Sequence, residues 1–180
     1  MISIYKIMLV SIFLILAGCN AVFTPKPLGD KAVQLNTEEW QGTWLAPEMV
    51  VITTVLDKDK GRLQAAWMER GTNGVEMEVL EGSIRASGDI MFINTRDDNP
   101  NVEPRYLWMV LDKFENHFTV WSANLEQFKA MVADGRLPGE ETDYGVMLGE
   151  LKPEHLEMII DPSTNLLNWK NPGVFTRVSD

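Results

Sequence analysis

Residue types that commonly carry out chemistry are few in this sequence. It contains two histidines, His117 and His155, and neither has a second His or Cys at metal-ligand spacing. Ser122 lacks the flanking glycines of a nucleophile elbow. The sequence therefore indicates neither a metal centre nor a nucleophilic triad, and we expect both histidines to lie on the surface.

Carboxylates occur in pairs, an arrangement used in acid–base catalysis and in calcium binding. Asp97-Asp98 and Glu140-Glu141 fall in predicted loops, but the spaced oxygen ligands of a calcium loop are missing. Glu76 and Glu78 share one face of a predicted strand, and a solvent-exposed strand face accounts for them more simply than a catalytic pair does. We therefore predict a protein that is not an enzyme and uses no metal or other cofactor.

The single cysteine, Cys19, follows an apolar segment near the amino end. Lys6 is the only charged residue before Lys26, and residues 7–18 are almost entirely apolar or small. A positive start followed by a short apolar run is the pattern of a secretory signal. As a helix these residues span about 18 Å, which is shorter than the ~30 Å hydrocarbon core of a membrane. We therefore predict an export signal over residues 1–18 and not a membrane-spanning anchor.

The last four residues of this segment, Leu16-Ala17-Gly18-Cys19, resemble the lipobox of bacterial lipoproteins at every position. The resemblance implies that Leu16, Ala17 and Gly18 are recognised by the signal peptidase. It also implies that the Cys19 thiol accepts diacylglycerol, and that acyl chains such as palmitate anchor the protein to the cell envelope. Asn20 follows, which favours the outer membrane, facing the periplasm, if the source is Gram-negative.

The charge of the chain limits its partners. Removal of residues 1–18 takes away one Lys and no acid, so the formal charge changes from −10 to −11. Strong negative charge argues against nucleic acid as a partner and against a basic face that docks on anionic lipid. It serves solubility, or it attracts a basic partner in the envelope.

Composition divides the mature chain in two. Residues 19–36 contain Pro25, Pro27 and Gly29 and show no clear periodicity, so we predict the lipidated cysteine followed by a tether. Residues 37–180 are predicted to form a single β-rich domain.

Short apolar runs separated by turn residues indicate the fold class. Strands are predicted over residues 50–56, around 63–67, and over 75–79, 90–93, 106–111, 118–121 and 173–178. This spacing is typical of a mainly β protein with an antiparallel meander, closed into a barrel or folded as a sandwich.

Two short α-helices are predicted to interrupt the strands. Asn124 caps the first, which ends near Gly135, and Pro153 opens the second, which Pro162 stops. We expect both helices to pack on the sheet or to plug one end of it.

Three short motifs resemble those of lipocalins and related calycins. Gly42-x-Trp44 is similar to their first motif and residues 142–144 (Thr-Asp-Tyr) to their second, while Arg177 on the last strand matches the third. The resemblance implies that Trp44 packs against Arg177 at the closed end of a barrel, through a cation–π contact. Core packing in a small β-barrel of other ancestry is the alternative.

The methionines and tryptophans suggest an apolar ligand. The candidate lining residues are Trp67, Met77, Trp108 and Trp121, although ordinary core filling explains these residues more simply. We therefore expect a lipid-anchored envelope protein that binds a small apolar molecule. The alternative is a protein-interaction module, such as an inhibitor, an immunity protein or an envelope-assembly factor, that uses its acidic surface.

Overall fold

The computed structural model describes residues 21–47, 49–71, 74–97 and 103–178. The predicted export signal and Cys19 lie outside these residues. The described chain divides into two compact units, one formed by residues 26–121 and 170–178 and the other by residues 21–25 and 122–169. The sequence predicts one domain over 37–180, whereas residues 122–169 belong, together with residues 21–25, to a second compact unit.

Twelve strands and three short helices make up these units. The strands are β1 (Ala21–Thr24), β2 (Lys31–Ala32), β3 (Gly42–Ala46), β4 (Met49–Asp57), β5 (Arg62–Gly71), β6 (Gly74–Ser87), β7 (Ile90–Asp97), β8 (Arg105–Phe114), β9 (His117–Trp121), β10 (Gly139–Thr142), β11 (Gly145–Leu148) and β12 (Gly173–Arg177). The helices are α1 (Thr37–Trp40), α2 (Leu125–Ala133) and α3 (Pro153–Ile160), and Pro162–Thr164 form a 3₁₀ turn. In the described residues, no helix is both long and apolar enough to cross a membrane.

The larger unit is a closed, eight-stranded antiparallel barrel. Strands β3 to β9 each pair with the next along the chain, and β12 pairs with both β9 and β3. Closure leaves no free sheet edge around the ring. The predicted meander, mainly β and barrel-like with short helices, is therefore confirmed as a barrel.

The strand register defines which side chains point into the barrel. Residues paired across neighbouring strands share a face, and faces alternate along each strand. Leu63, Ile84 and Leu111 belong to one buried core cluster, so they mark the inner face. By register the same face carries Trp44, Val51 and Trp67.

The chain before β3 closes one end of the barrel. Leu35 N–H donates to the Lys58 carbonyl in the β4–β5 turn, and Leu35 and Trp40 join the core cluster. We call this the closed end, and the end at the β7–β8 connection the far end.

Residues 21–36 are folded, which corrects the prediction of a tether over 19–36. β1 is buried and pairs with β11 in parallel, while β2 pairs with β6. Gly29 has a φ of 101°, and a Cβ there would lie 2.7 Å from the Cβ of Arg85. The glycine therefore serves close packing and not flexibility. The prolines and glycine masked the pattern set by the buried Leu28 and Leu35.

The smaller unit combines a three-stranded sheet with two helices. β11 lies between β10 and β1, and α2 packs on this sheet through its buried Phe128 and Met131. The Asn124 side chain accepts a bond from Gln127 N–H at the start of α2, as predicted, and α3 begins at Pro153.

Candidate functional site

The closed end is organised around Trp44. Its indole ring is almost fully buried, and its Nε1 donates to the Thr53 hydroxyl at 2.9 Å. The Arg177 guanidinium lies 5.8 Å from the ring centroid, within cation–π range. The predicted contact between Trp44 and Arg177 is therefore present.

Arg177 also joins the last strand to the first helix. Its Nη1 donates to the Glu38 carbonyl and its Nη2 to the Gln41 carbonyl, the latter at 2.9 Å. Gly42 makes room for this side chain, because a Cβ there would lie 3.2 Å from Arg177 Nε. Gly42, Trp44 and Arg177 thus lie in contact at the closed end, and their role is to stabilise this end of the barrel.

The second lipocalin-like motif belongs to the smaller unit. Residues 142–144 are in the smaller unit, in the turn between β10 and β11, where Tyr144 N–H donates to the Thr142 hydroxyl at 3.2 Å. Gly42, Trp44 and Arg177 belong to the other unit. A three-residue motif contains too little information to fix its place in the fold.

Of the four candidate pocket residues, the structure places only Trp67 on the inner face. Trp67 pairs with Val51, and Val51 pairs with Trp44. Its ring is buried, so Trp67 lines the interior on the side of β5.

Met77, Trp108 and Trp121 point away from the barrel interior, which corrects their assignment as lining residues. Trp108 pairs with Asn94, next to the inward Ile93, and Trp121 pairs with Val110, next to the inward Leu111. Met77 is 66% exposed on the outer face. Sequence alternation separates two faces but does not say which one is inside.

Strand β6 shows most clearly that the predicted inner and outer faces are exchanged. Glu78 pairs with Trp67, so Glu76 and Glu78 belong to the inner face, near the far end, where both are exposed. The sequence predicts that the face carrying Glu76 and Glu78 is exposed to solvent. Both side chains are exposed, but this face of β6 is the inner face of the barrel. Hydration near the end of a barrel makes inward carboxylates tolerable.

Apolar side chains on the inner face of the barrel remain partly exposed. Ala65, Ile93, Phe118 and Val120 all face inward by register and pack against the core cluster, yet none is fully buried. Inward-facing Phe175 is also only partly buried and stacks on Phe118 with ring centroids 4.6 Å apart. Fully packed interiors leave such side chains no accessible surface. The accessible surface of these residues favours free space inside the barrel over a fully packed interior.

A partly buried ion pair lies near the far end. Arg105 Nε is 2.7 Å from Asp97 Oδ2, and the Arg105 side chain is only 5% exposed. The two residues pair in register and face inward with Thr95. Sequence reasoning missed Arg105. A charge that directly precedes an apolar run such as residues 106–111 is the signal that indicates it.

The other chemistry-bearing residues have structural roles. His155 Nδ1 accepts a bond from Lys152 N–H at the start of α3, and His117 is an exposed residue at the β8–β9 turn. Across the described ranges, no group of three or more His, Cys, Asp or Glu residues could hold a metal ion. Backbone donation by Ser163 lowers the pKa of Asp161, which is a feature of a helix cap.

No model of a known protein family, no curated protein and no solved structure matches this chain. The candidate site is therefore described by its geometry alone: an apolar interior with accessible surface, sealed at one end and bordered by charge near the other.

Proposed function

We propose that this protein is a lipid-anchored envelope protein that binds a small, mainly apolar molecule inside its barrel. The observation that carries the proposal is the accessible apolar surface on inward-facing Ala65, Ile93, Phe118, Val120 and Phe175. An eight-stranded barrel is wide enough either to be filled by side chains or to hold one small ligand. Accessible apolar surface inside the ring favours the second state.

The chemistry of the interior defines the ligand class. Phe118, Phe175 and Trp44 form a chain of ring contacts, with 4.8 Å between the centroids of Trp44 and Phe118. Aromatic and aliphatic walls gain free energy by covering apolar surface, roughly 25 cal/mol per Å². The Arg105–Asp97 pair supplies polar groups near the far end. A molecule with a hydrocarbon body and a small polar end fits this arrangement.

The predicted lipid anchor would determine where the protein is located. Cys19 is the only cysteine, and it precedes Ala21, the first residue of β1, by two positions. Two residues span at most about 7 Å. Lipidation of Cys19 would therefore hold β1 next to the membrane surface, which is a source of apolar molecules. Two or three acyl chains are enough for stable attachment.

Native mass spectrometry tests ligand binding directly. Residues 20–180, exported to the periplasm without the lipid anchor, should carry an adduct of lipid mass that mild organic extraction removes. A chain without an adduct, even after incubation with lipid extract, contradicts the proposal and favours a protein-interaction module instead.

Two neighbouring alanines provide a matched test of the free interior space. Ala65 faces into the barrel and Ala66 faces out. Ala65→Phe should fill the space, abolish the adduct and leave the free energy of unfolding unchanged or raised. Ala66→Phe should keep the adduct.

A solid interior predicts a different result for the same pair. Overpacking costs about 1–3 kcal/mol, so Ala65→Phe would then lower the free energy of unfolding and leave no adduct to lose. Denaturant titration of both variants separates the two cases. Labelling with radioactive palmitate in cells, with Cys19→Ser as control, tests the anchor separately.

A further inference from the structure

The first strand of the smaller unit lies very close along the chain to the predicted anchor. Cys19 precedes Ala21 by two positions, and two residues span at most about 7 Å in any conformation. An acylated Cys19 would lie at the surface of the bilayer. The backbone of Ala21 would then lie no more than about 7 Å from that surface group.

The sheet of the smaller unit holds β1 in place, so β1 does not lengthen this link. Its four side chains, Ala21–Thr24, are each at most 4% exposed. Ala21 N–H donates to the Tyr144 carbonyl at 3.1 Å, and Ala21 pairs with Gly145 of β11. Gly145 permits this approach, because a Cβ there would overlap the backbone of Ala21. Release of β1 would expose its buried apolar side chains to water.

The strand directions identify the end of this sheet that lies nearest to Cys19. β1 and β11 are parallel and β10 is antiparallel to β11, so Ala21, Gly145 and Thr142 lie at one end. Asp143 and Tyr144 form the turn that joins β10 to β11 at this end. We call these two residues the anchor-side turn.

The opposite end of the sheet lies about one strand length from Ala21. Gly149 follows β11 there, and its N–H donates to the Pro138 carbonyl at 2.9 Å. The residues of β11, Gly145–Leu148, span roughly 10 Å at about 3.3 Å per residue. A short-range probe can therefore distinguish the two ends.

The side chains of the anchor-side turn suit the surface of a membrane. Tyr144 is 41% exposed, and tyrosine is enriched at membrane–water interfaces because its ring is apolar and its hydroxyl is polar. The edge strand β10 presents the exposed Glu140 and Glu141 instead. These carboxylates would lose hydration against lipid, which disfavours a sheet that lies flat on this edge.

Charge indicates which lipids this surface would contact. Residues 122–169 contain nine acidic and three basic side chains. An anionic lipid surface would therefore repel the smaller unit, whereas neutral phospholipid headgroups would not.

We propose that, once Cys19 is lipidated as in the proposed function on which this docking rests, the anchor-side turn lies in the headgroup layer of a neutral phospholipid surface. The strands of the smaller unit then lead away from the membrane. The headgroup layer is roughly 5–7 Å deep on each side of the hydrocarbon core, a depth similar to the ~7 Å reach of the link. The link is thus too short to let the turn leave the membrane surface.

Two matched cysteine variants measure how close each end of the sheet lies to the bilayer. Asp143 and Glu150 are both exposed acidic residues, one at each end. Because acylation consumes Cys19, Asp143→Cys and Glu150→Cys each supply one free thiol for a fluorophore. The full lipoprotein is placed in phosphatidylcholine vesicles whose headgroups carry a nitroxide quencher. Quenching should be at least threefold stronger at position 143 than at position 150.

A longer link provides the control. Insertion of about twelve Gly and Ser residues between Asn20 and Ala21 adds a flexible chain with a reach of roughly 20 Å. This insertion should keep the protein on the vesicles and lower the quenching at position 143 to the level at position 150. Circular dichroism checks that the labelled and extended proteins fold.

The outcomes distinguish the docking from the anchor. Absence of radioactive palmitate on Cys19 would contradict the anchor and the docking together. An acylated protein that floats with the vesicles but shows equal quenching at both positions, or stronger quenching at position 150, would overturn the docking alone. Quenching at position 143 that the inserted residues leave unchanged would also overturn it, because the short link would then not hold the turn.

Discussion

At the scale of single residues, Arg177 is the side chain on which the closed end depends most. It combines a cation–π contact with Trp44 and two hydrogen bonds to the carbonyls of Glu38 and Gln41. A planar guanidinium can make all three contacts at once, which an ammonium cannot. The sequence motif indicated Trp44 and Arg177 as partners but not the two carbonyls, because backbone acceptors leave no trace in residue identity.

Arg177→Lys should therefore lower the free energy of unfolding by about 1–3 kcal/mol, the range for hydrogen bonds to a charged group. Arg62→Lys is the control, since its exposed pair with Glu81 contributes at most about 1 kcal/mol. Urea denaturation, followed by tryptophan fluorescence, measures both. Equal effects of the two substitutions would show that Arg177 does not hold the closed end.

At the scale of elements, the turn between β4 and β5 depends on Asp57. Its carboxylate accepts backbone N–H bonds from Lys60 at 3.1 Å and from Asp59 at 3.2 Å. The bond from Lys60 is the main cause that lowers the pKa of Asp57 below its usual value of 3.8. A lowered pKa means that the charged form stabilises the fold at neutral pH.

This contribution is present above the ordinary pKa of Asp and is lost as the pH falls through the lower, folded value. Asp57→Asn should therefore be less stable than the wild type at pH 7, and the difference should shrink below pH 3.8. Urea titrations at both pH values measure it, with the exposed turn residue Asp89 changed to Asn as control. A difference that stays constant with pH argues against the carboxylate.

The elements also show what sequence patterns could predict. Strand β4 was predicted over residues 50–56 and forms over Met49–Asp57, and both helices begin where their caps indicated. Sequence patterns did not predict β10 and β11, because Gly139–Thr142 is polar and Gly145–Leu148 is too short to show a period. The prediction that Met77 and Trp108 face the interior was wrong. Alternation along a strand separates two faces but does not show which one is inside, and only the pairing of distant strands shows that.

At the scale of the whole molecule, β12 completes the ring. It pairs with β9 on one side and with β3 on the other, through Thr176 with Leu45 and Arg177 with Trp44. Without it, β3 and β9 would each present an unpaired edge. The sequence predicts this last strand. It does not predict that residues 122–169, which separate β9 from β12 along the chain, belong to a second compact unit.

A chain that ends after residue 172 should therefore fail to close its barrel and should aggregate, whereas a chain that ends after residue 178 should remain soluble. Size-exclusion chromatography of the two truncated proteins, after export to the periplasm, distinguishes these outcomes. A soluble, protease-resistant protein without β12 would contradict the closure argument.

The pairing of β12 with β3 also determines when the barrel can close relative to synthesis of the chain. Leu45 is made early in synthesis and its partner Thr176 late, so the ribosome must complete nearly the whole chain before the ring can form. Contacts between residues so far apart in sequence form slowly. A chain that is still open can be threaded across a membrane, whereas a closed barrel cannot. The late strand would therefore keep the ring open during synthesis, which is what the proposed export requires.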